Sequence, residues 1–232
     1  MHHDSNPQKQ HFNKNMKVVI LCNGDFPSAA QPLDALHQAE HIVCCDGAYD
    51  TLLANKPGIH TPLTVIGDLD SIDKRTAARM PHGVNFIHVS EQLSNDQTKA
   101  FRHVVETFPG ASVSIIGATG KREDHTIGNV SLLADYLDEG RATNTTVRML
   151  TDHGIFTPVE RKTEFESFGR QQVSLFAMSP MCKITTKGLE YPLDNEPLNR
   201  WWQGTLNASL GATFTIDVKN GIVIVYQTHI PK

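Results

Sequence analysis

The chain has few of the features that would assign it quickly to a structural class. Of its 232 residues only four are cysteines, and none stands in a CxxC pair or at a spacing typical of zinc ligands. Cys22, Cys44 and Cys45 lie inside apolar runs, where a free thiol behaves as a small buried hydrophobe. A disulfide-stapled secreted domain is therefore excluded, and a reducing, cytoplasmic setting is expected.

Long apolar runs and strong charge of either sign are also missing. No run approaches the length of a membrane span, and the N-terminus lacks the apolar core of a signal peptide. A formal net charge of -4 gives no strong attraction for nucleic acid or an anionic membrane, so neither partner is expected. With 39% hydrophobic and 20% charged residues, the composition is typical of a globular protein. Residues 1–15, rich in His, Asn, Gln and Lys, are expected to be a disordered leader.

Between residues 16 and 151, short apolar runs alternate with helical segments. The runs at 17–22, 41–45, 63–67, 84–89, 112–116 and 146–150 predict strands. Helices are expected near 28–39, 49–55, 96–108 and 125–137. This alternation predicts an α/β domain, an open and mostly parallel sheet flanked by helices.

The hydrophobic pattern of residues 152–232 differs from that of the first half. Helical periodicity gives way to short β-rich runs at 155–159, 173–178, 183–186, 212–218 and 222–228. Asn220-Gly221, between the last two runs, is a two-residue hairpin signal. This half is expected to be an antiparallel β-sandwich domain with an accessory or dimerising role.

Acidic residues collect where the predicted parallel strands end. Asp46 follows the second strand, Asp68 and Asp70 follow the third, and Asp96 closes the segment after the fourth. An Asp-x-Asp pair offers oxygen ligands to a cation that also holds phosphates, although a polar turn bonded to local backbone explains Asp68 and Asp70 equally well. Because parallel strands end on one edge of a sheet, the convergence of several such loops favours a ligand site.

Two further loops each allow a structural and a functional interpretation. Ser94 and Gln97 fit a capping box, with Asp96 favoured by the helix dipole. The segment 117–125 contains two glycines, and Lys121 and Arg122 are charged donors suited to phosphate. Its spacing matches neither a P-loop nor a dinucleotide fingerprint, and a solvated loop capped by Asp124 remains open.

Taken together, these segments resemble a bacterial thiamine pyrophosphokinase. The matching motifs are Asp46-Gly47-Ala48, Gly67-Asp68-Leu69-Asp70-Ser71-Ile72, Glu91-Gln92-Leu93-Ser94-Asn95-Asp96 with Lys99, the segment 117–129, Val173-Ser174-Leu175-Phe176 and Thr185-Thr186-Lys187-Gly188-Leu189. The resemblance spans nearly everything after the leader. It implies Mg2+-dependent transfer of a diphosphoryl group from ATP to the hydroxyethyl group of thiamine, with release of AMP. It also implies a homodimer with active sites at the subunit interface.

The resemblance also implies roles for individual residues. The catalytic centre would contain Asp46, Asp68, Asp70 and Asp96, the first three as metal ligands, and Asp96 is the expected acceptor of the thiamine proton. The thiamine contacts would be Gln92, Tyr191 and Asn207, with Trp201 or Trp202 as a substitute for Tyr191. The ATP contacts would be Lys99, Gly117, Thr119, Lys121, Arg122, Asp124, His125 and Asn129.

Three positions depart from the family pattern. Leu93 and Asn95 stand where the family's Asp-Gln-Asp-x-Thr-Asp motif has an acid and a threonine, and Leu206 replaces a serine. Leu93 can bind neither metal nor phosphate. These departures bear on affinity and specificity more than on the reaction.

The acidic centre leaves two other functions open. A Mg2+-dependent phosphohydrolase or nucleotidyltransferase would use the same acids without needing thiamine. A non-catalytic thiamine or nucleotide sensor would bind its ligand without turnover.

Overall fold

A computed structural model describes residues 15–56, 58–68 and 83–231 of the chain. For residue 231 it describes the backbone only. Most of the expected leader and the predicted site residue Asp70 lie outside the described residues. The first half contains strands β1 (Lys17–Leu21), β2 (His41–Cys45), β3 (Leu63–Gly67), β4 (Val84–His88), β5 (Ser112–Ile116) and β6 (Thr146–Leu150), and helices α1 (Ala30–His37), α2 (Ala48–Asn55), α3 (Asp96–Thr107) and α4 (Glu123–Arg141).

These six strands form a parallel sheet in the order β4-β3-β2-β1-β5-β6. The predicted open α/β sheet is confirmed. The strand with the weakest apolar pattern, β4, lies at the edge of the sheet, where one side has no neighbouring strand among the described residues.

Helices cover both faces of the sheet. Leu36 of α1 and Leu52 of α2 pack in one buried cluster, while Phe101 of α3 and Leu133 of α4 pack in another. Because side chains alternate along a strand, neighbouring residues of β1 and β2 contribute to opposite clusters. Burial of a large apolar side chain stabilises the fold by about 1.5–3 kcal/mol. None of the helices in the described part of the chain is long and apolar enough to cross a membrane.

The second half extends the same sheet and adds another. It contains β7 (Gly154–Val159), β8 (Thr163–Glu166), β9 (Gln171–Ala177), β10 (Lys183–Lys187), a 3-10 helix (Trp201–Gly204), β11 (Asn207–Ala208), β12 (Thr213–Lys219) and β13 (Val223–Pro231). Strand β7 pairs antiparallel with β6, so the large sheet continues as β6-β7-β13-β9-β11. The smaller sheet has the order β10-β12-β8.

The two sheets of the second half form the expected β-sandwich. Leu175 and Val225 from the large sheet share a buried cluster with Ile184, Phe214 and Ile216 from the small one. Strand β8, strand β11 and the 3-10 helix have no apolar alternation long enough to predict them. They are additions to the expected set of elements.

The hairpin predicted at Asn220-Gly221 is wrong. Strand β12 pairs with β10 and β8 in the small sheet, while β13 pairs with β7 and β9 in the large one. Asn220 has a φ of +59°, the left-handed conformation that asparagine tolerates. The turn is real, but it carries the chain from one layer of the sandwich to the other.

Candidate active site

A pocket of about 540 Å³ opens where the strand order of the parallel sheet reverses. The chain leaves β1 towards β2 on one side, and β5 lies on the other side of β1. In open α/β sheets, ligands bind in the crevice outside the carboxyl ends of strands at such a point. The pocket is lined by the residues that follow β1, β2, β3 and β5 and by the first turns of α3 and α4.

The structure brings most of the predicted site residues to this pocket. Its lining includes Asp46, Asp68, Gln92, Asp96, Lys99, Thr119, Lys121, Arg122, His125 and Asn129. Gly117 lines a neighbouring pocket instead, and Asp124 contacts Arg122 at the rim. Tyr191 and Asn207 lie on a different pocket, of about 440 Å³.

Asp46 is the most unusual side chain in the pocket. It follows β2 with a φ of +44°, and only 5% of its surface is exposed. Its Oδ1 atom has no hydrogen-bond partner in the described part of the chain. Gly67 allows this packing, because a Cβ atom there would lie 3.0 Å from the Cβ of Asp46. A buried, unsatisfied carboxylate oxygen is costly to the fold, and a bound cation would compensate for it.

Asp68 and Asp96 add carboxylates to the same pocket. Asp96 Oδ1 accepts a 3.2 Å hydrogen bond from Lys99 Nζ, and the side chain of Lys99 is only 6% exposed. Among the described residues no group of three or more His, Cys, Asp or Glu side chains is arranged to hold a metal by itself. Mg2+ in phosphate-transfer sites takes one or two carboxylates and completes its shell with water and phosphate oxygens, so these donors suit it.

The segment before α3 is held by Glu91 rather than by the expected capping box. The Glu91 carboxylate accepts hydrogen bonds from the backbone of Leu93, from the Ser94 backbone at 2.9 Å and from Ser94 Oγ at 2.5 Å. The hydrogen bond from Ser94 Oγ, with those from the two backbone amides, keeps the pKa of Glu91 below its ordinary value.

The cap of α3 is Asn95, whose Oδ1 accepts the Thr98 amide at 2.9 Å. The predicted pairing of Ser94 with Gln97 is therefore wrong, because the helix begins one residue later. Gln97 is 3% exposed and donates instead to the Asn129 carbonyl at 3.1 Å. Its amide is thus part of the pocket wall.

Asn129 joins three parts of the site. Its Nδ2 donates to the Ala118 carbonyl at 2.8 Å, and its Oδ1 accepts from Asn95 Nδ2 at 3.2 Å. These bonds connect the first turns of α3 and α4 to the loop after β5. Asn129 therefore positions the loop as well as lining the pocket.

The loop after β5 packs tightly against the loop after β1. Gly24 donates to the Gly117 carbonyl at 2.6 Å, and a Cβ at Gly24 would lie 2.3 Å from that oxygen. Lys121 Nζ donates to the Asn23 carbonyl at 2.9 Å. The contact holds the Lys121 ammonium group over the pocket, where a phosphate oxygen could replace the carbonyl.

Arg122 and Asp124 form a bidentate ion pair at the rim, with distances of 3.0 and 2.6 Å. Arg122 precedes the first residue of α4, so the interpretation of Asp124 as the cap is wrong. The hydrogen bond from Arg122 lowers the pKa of Asp124 to about 2. Because both side chains are well exposed, this pair contributes little to stability.

Several lining residues were not predicted: Cys22, Asn23, Gly24, Cys45, Ser94, Asn95, Gln97, Ala118 and Thr126. The position of residues 22–24 directly after a central strand was a usable signal for three of them. The others depend on which way a side chain faces, which short motifs do not report.

The predicted thiamine contacts lie on the β-sandwich. Asn207 is buried, its Oδ1 accepts the Tyr191 amide at 3.0 Å, and its Nδ2 donates to the Tyr191 carbonyl at 2.8 Å. The Tyr191 side chain is 63% exposed and lies beside Leu206, whose φ is +64°. Asn207 thus holds the backbone of an outward-facing aromatic residue.

Comparisons with known protein families agree with this arrangement. Residues 33–149 match the family model for "Thiamin pyrophosphokinase, catalytic domain", and residues 154–226 match the model for "Thiamin pyrophosphokinase, substrate-binding domain". The thiamine pyrophosphokinase of Bacillus subtilis is 30% identical over 141 residues, which span 58% of this chain and 63% of that protein. Thiamine pyrophosphokinase 1 of rice is 25% identical over 211 residues, which span 78% of this chain and 75% of the rice protein.

Solved structures share the fold. The thiamin pyrophosphokinase family protein of Enterococcus faecalis superposes with a TM-score of 0.75 at 18% identity, covering 92% of this chain and 99% of its own. The yeast thiamin pyrophosphokinase superposes with a TM-score of 0.73 at 18% identity, and the match covers 94% of this chain and 88% of the yeast chain. With both family models matched in order along the sequence, the chain belongs to the thiamin pyrophosphokinase family.

Proposed function

We propose that this protein is a thiamine pyrophosphokinase, which transfers the diphosphoryl group of ATP to the hydroxyl of thiamine and releases AMP. The observation that carries the proposal is the unsatisfied carboxylate of buried Asp46, which lines a pocket with Asp68, Asp96 and the Lys121 loop. The family match supports the choice of substrates.

The metal ligands would be Asp46, Asp68 and Asp70, the last outside the described residues. Bound Mg2+ supplies neutralisation of the charge on the diphosphoryl oxygens. The Asp46 amide donates to the Ile66 carbonyl at 2.9 Å, which fixes the backbone from which the carboxylate would reach the ion.

The ATP contacts would surround the loop after β5 and the start of α4. Lys121 and Arg122 would exchange their contacts with Asn23 and Asp124 for phosphate oxygens. Gly117, Thr119, Asp124, His125 and Asn129 would shape the nucleotide side, and Lys99 would add positive charge near the diphosphoryl group.

Asp96 would accept the proton of the thiamine hydroxyl. Its Oδ1 accepts a 3.2 Å hydrogen bond from Lys99 Nζ, and this contact positions the carboxylate at the pocket. The carboxylate can then act as a base near the carboxyl end of the sheet.

The thiamine ring would be held between two copies of the chain, in a homodimer. The pocket that Tyr191 and Asn207 line shares no residue with the acidic pocket, so one chain does not bring both parts together among the described residues. Large exposed apolar side chains at Tyr191, Trp202 and Leu206 offer a surface for a partner. Residues 16–151 would then supply the catalytic part and residues 152–232 the thiamine-binding part, with Gln92 meeting the ring from the catalytic side.

We expect the enzyme to act in the cytoplasm, where ATP and Mg2+ are available. The four cysteines, all free and buried, suit a reducing compartment.

The deciding experiment measures AMP release from ATP and Mg2+ with and without thiamine. We expect AMP only when thiamine is present, in equal amount to thiamine diphosphate. ADP as the product, or thiamine-independent breakdown of ATP, would contradict the proposal and favour a phosphohydrolase.

The variant Asp46→Asn tests the acidic centre. We expect turnover to fall by about 100-fold or more, because a charge that stabilises the transition state is lost, while the thermal unfolding temperature does not fall. Asp34→Asn, an identical change on the exposed face of α1, is the matched control and should leave turnover unchanged. Equal turnover in both variants would remove Asp46 from the centre.

A further inference from the structure

Two thiols lie side by side in the wall of the catalytic pocket, and no step proposed above uses them. Cys22 follows β1 and Cys45 ends β2, next to the register pair Leu21 and Cys44. Their sulfur atoms are 4.0 Å apart, and both side chains line the pocket. Cys44, the neighbour of Cys45, packs in the buried cluster on the other face of the sheet.

We propose that Cys22 and Cys45 form a binding site for a thiophilic divalent cation such as Zn2+ or Cd2+. Two thiolates on a tetrahedral zinc ion, each about 2.3 Å from the metal, lie about 3.8 Å apart. The observed separation of 4.0 Å between the two sulfur atoms is close to that distance. A disulfide would instead need the sulfur atoms to approach to about 2.05 Å.

Gln97 supplies an oxygen atom near the same position. Its Oε1 accepts a weak hydrogen bond from Cys22 Sγ at 3.5 Å. A sulfur and an oxygen ligand on one tetrahedral zinc ion lie about 3.6 Å apart, so Oε1 is within reach of a third position. Water from the pocket completes the shell.

The chemistry involves no change of oxidation state. Each thiol releases its proton to solvent, and the cation accepts one electron pair from each thiolate. The order of ligand preference separates this site from the proposed Mg2+ site, because thiolates select soft ions and carboxylates select hard ones.

An ion bound here would lie next to Asp46, which follows Cys45 directly in the chain. If the proposed function holds, soft cations should inhibit the enzyme. They would fill part of the space that the diphosphoryl group and its metal need. The affinity of the thiol pair itself does not depend on that function.

The test titrates the reduced protein with Cd2+ in the absence of ATP, Mg2+ and thiamine. The readout is the ultraviolet charge-transfer absorption from sulfur to cadmium, which reports thiolate ligands and not histidine. We expect one Cd2+ per chain in the unchanged protein, and at least a tenfold loss of affinity in Cys22→Ala and in Cys45→Ala. Cys44→Ala, which removes an equally buried thiol from the opposite face, is the matched control and should bind as the unchanged protein does.

The proposal is overturned if the unchanged protein gives no charge-transfer band, or if Cys44→Ala weakens binding as much as the other two variants. Thermal unfolding shows which variants are folded, and either Cys22→Ala or Cys45→Ala alone is sufficient for the comparison. AMP release with added Cd2+ then separates the two proposals. Binding without any basal AMP release would contradict only the proposed function, and AMP release without binding only the thiol site.

Discussion

Two tyrosines in the core, Tyr49 and Tyr136, are both fully buried but differ in what their hydroxyl groups contact. The Tyr136 hydroxyl lies 2.8 Å from Thr98 Oγ1, while the Tyr49 hydroxyl has no partner among the described residues. A buried hydroxyl without a hydrogen bond costs about 1–3 kcal/mol. The Tyr49 hydroxyl therefore destabilises the folded state, within the buried cluster that α1 and α2 cover.

Tyr49→Phe should raise the free energy of unfolding by about 1 kcal/mol, because it removes the unsatisfied group and keeps the ring. The ring itself packs edge-on against Phe86, with centroids 5.7 Å apart. Urea unfolding monitored by circular dichroism measures the change. Tyr136→Phe is the matched control and should lower the free energy by about 1 kcal/mol; the same sign in both variants would contradict the prediction.

At the scale of elements, Asn95 performs two tasks at the start of α3. Its oxygen caps the helix and its Nδ2 donates to Asn129 on α4. The two tasks can be separated, because aspartate keeps the cap but has no hydrogen to donate.

Asn95→Ala should lower the free energy of unfolding by about 1 kcal/mol through loss of the cap. Asn95→Asp should retain most of that stability, since its carboxylate accepts the Thr98 amide and suits the positive end of the helix. Chemical denaturation of the two variants in parallel provides the measurement. An equal loss in both would show that the link to Asn129, and not the cap, stabilises α3.

His41 and His103 lie on either side of Phe108. His41 is the first residue of β2, so this cluster is at the opposite end of the strands from the pocket. The two histidine ring centroids are 4.7 and 6.5 Å from that of Phe108, and His41 Nε2 is 2.9 Å from Thr64 Oγ1. Burial, and then the nearby charge of His103, lowers the pKa of His41. Burial also lowers the pKa of His103, against an opposing effect of Glu106.

Acid should therefore weaken this contact. The unfolded chain takes up protons near pH 6.5, and the folded state takes them up only at lower pH, so stability is full above pH 6.5 and falls as the pH drops below it. Unfolding free energies at pH 7.5 and 5.5 test this. The double variant His41→Gln/His103→Gln should lose less stability over that interval than the unchanged protein; an equal loss would assign the acid sensitivity to other groups.

At the scale of the whole molecule, the proposed dimer predicts complementation. Under the proposed roles, Asp46→Asn should inactivate the catalytic part and Tyr191→Ala should inactivate the thiamine-binding part. In a heterodimer of the two variants, one of the two shared sites carries neither change. Co-expression and random pairing should restore about a quarter of the unchanged activity, given a two-fold symmetric interface. Activity no higher than that of either variant alone, with light scattering showing a monomer, would contradict the shared site.

The sequence predicts the order of the elements well, because each apolar run is short, separate and closed by a turn residue. It also predicts that Asp46, Asp68 and Asp96 converge, since parallel strands end on one edge. It does not predict that Cys22 and Cys45 are neighbours, because their contact depends on the register of two strands.

The errors at Asn220-Gly221 and Ser94 have a common cause. Local motifs indicate that the chain turns or that a helix begins nearby. The partner of the next strand, and the residue whose side chain reaches the helix amides, are decided by packing with distant segments. Tertiary contacts settle both.

The antiparallel pairing of β6 with β7 has a consequence for how such an enzyme can work. Interstrand hydrogen bonds continue from the strands next to the proposed nucleotide site to the strands that carry the proposed thiamine surface. The two halves of the chain are therefore joined within one continuous sheet, at the pairing of β6 with β7. In the proposed dimer, the distance between the two substrates would be set by the way in which two copies of the chain pack together.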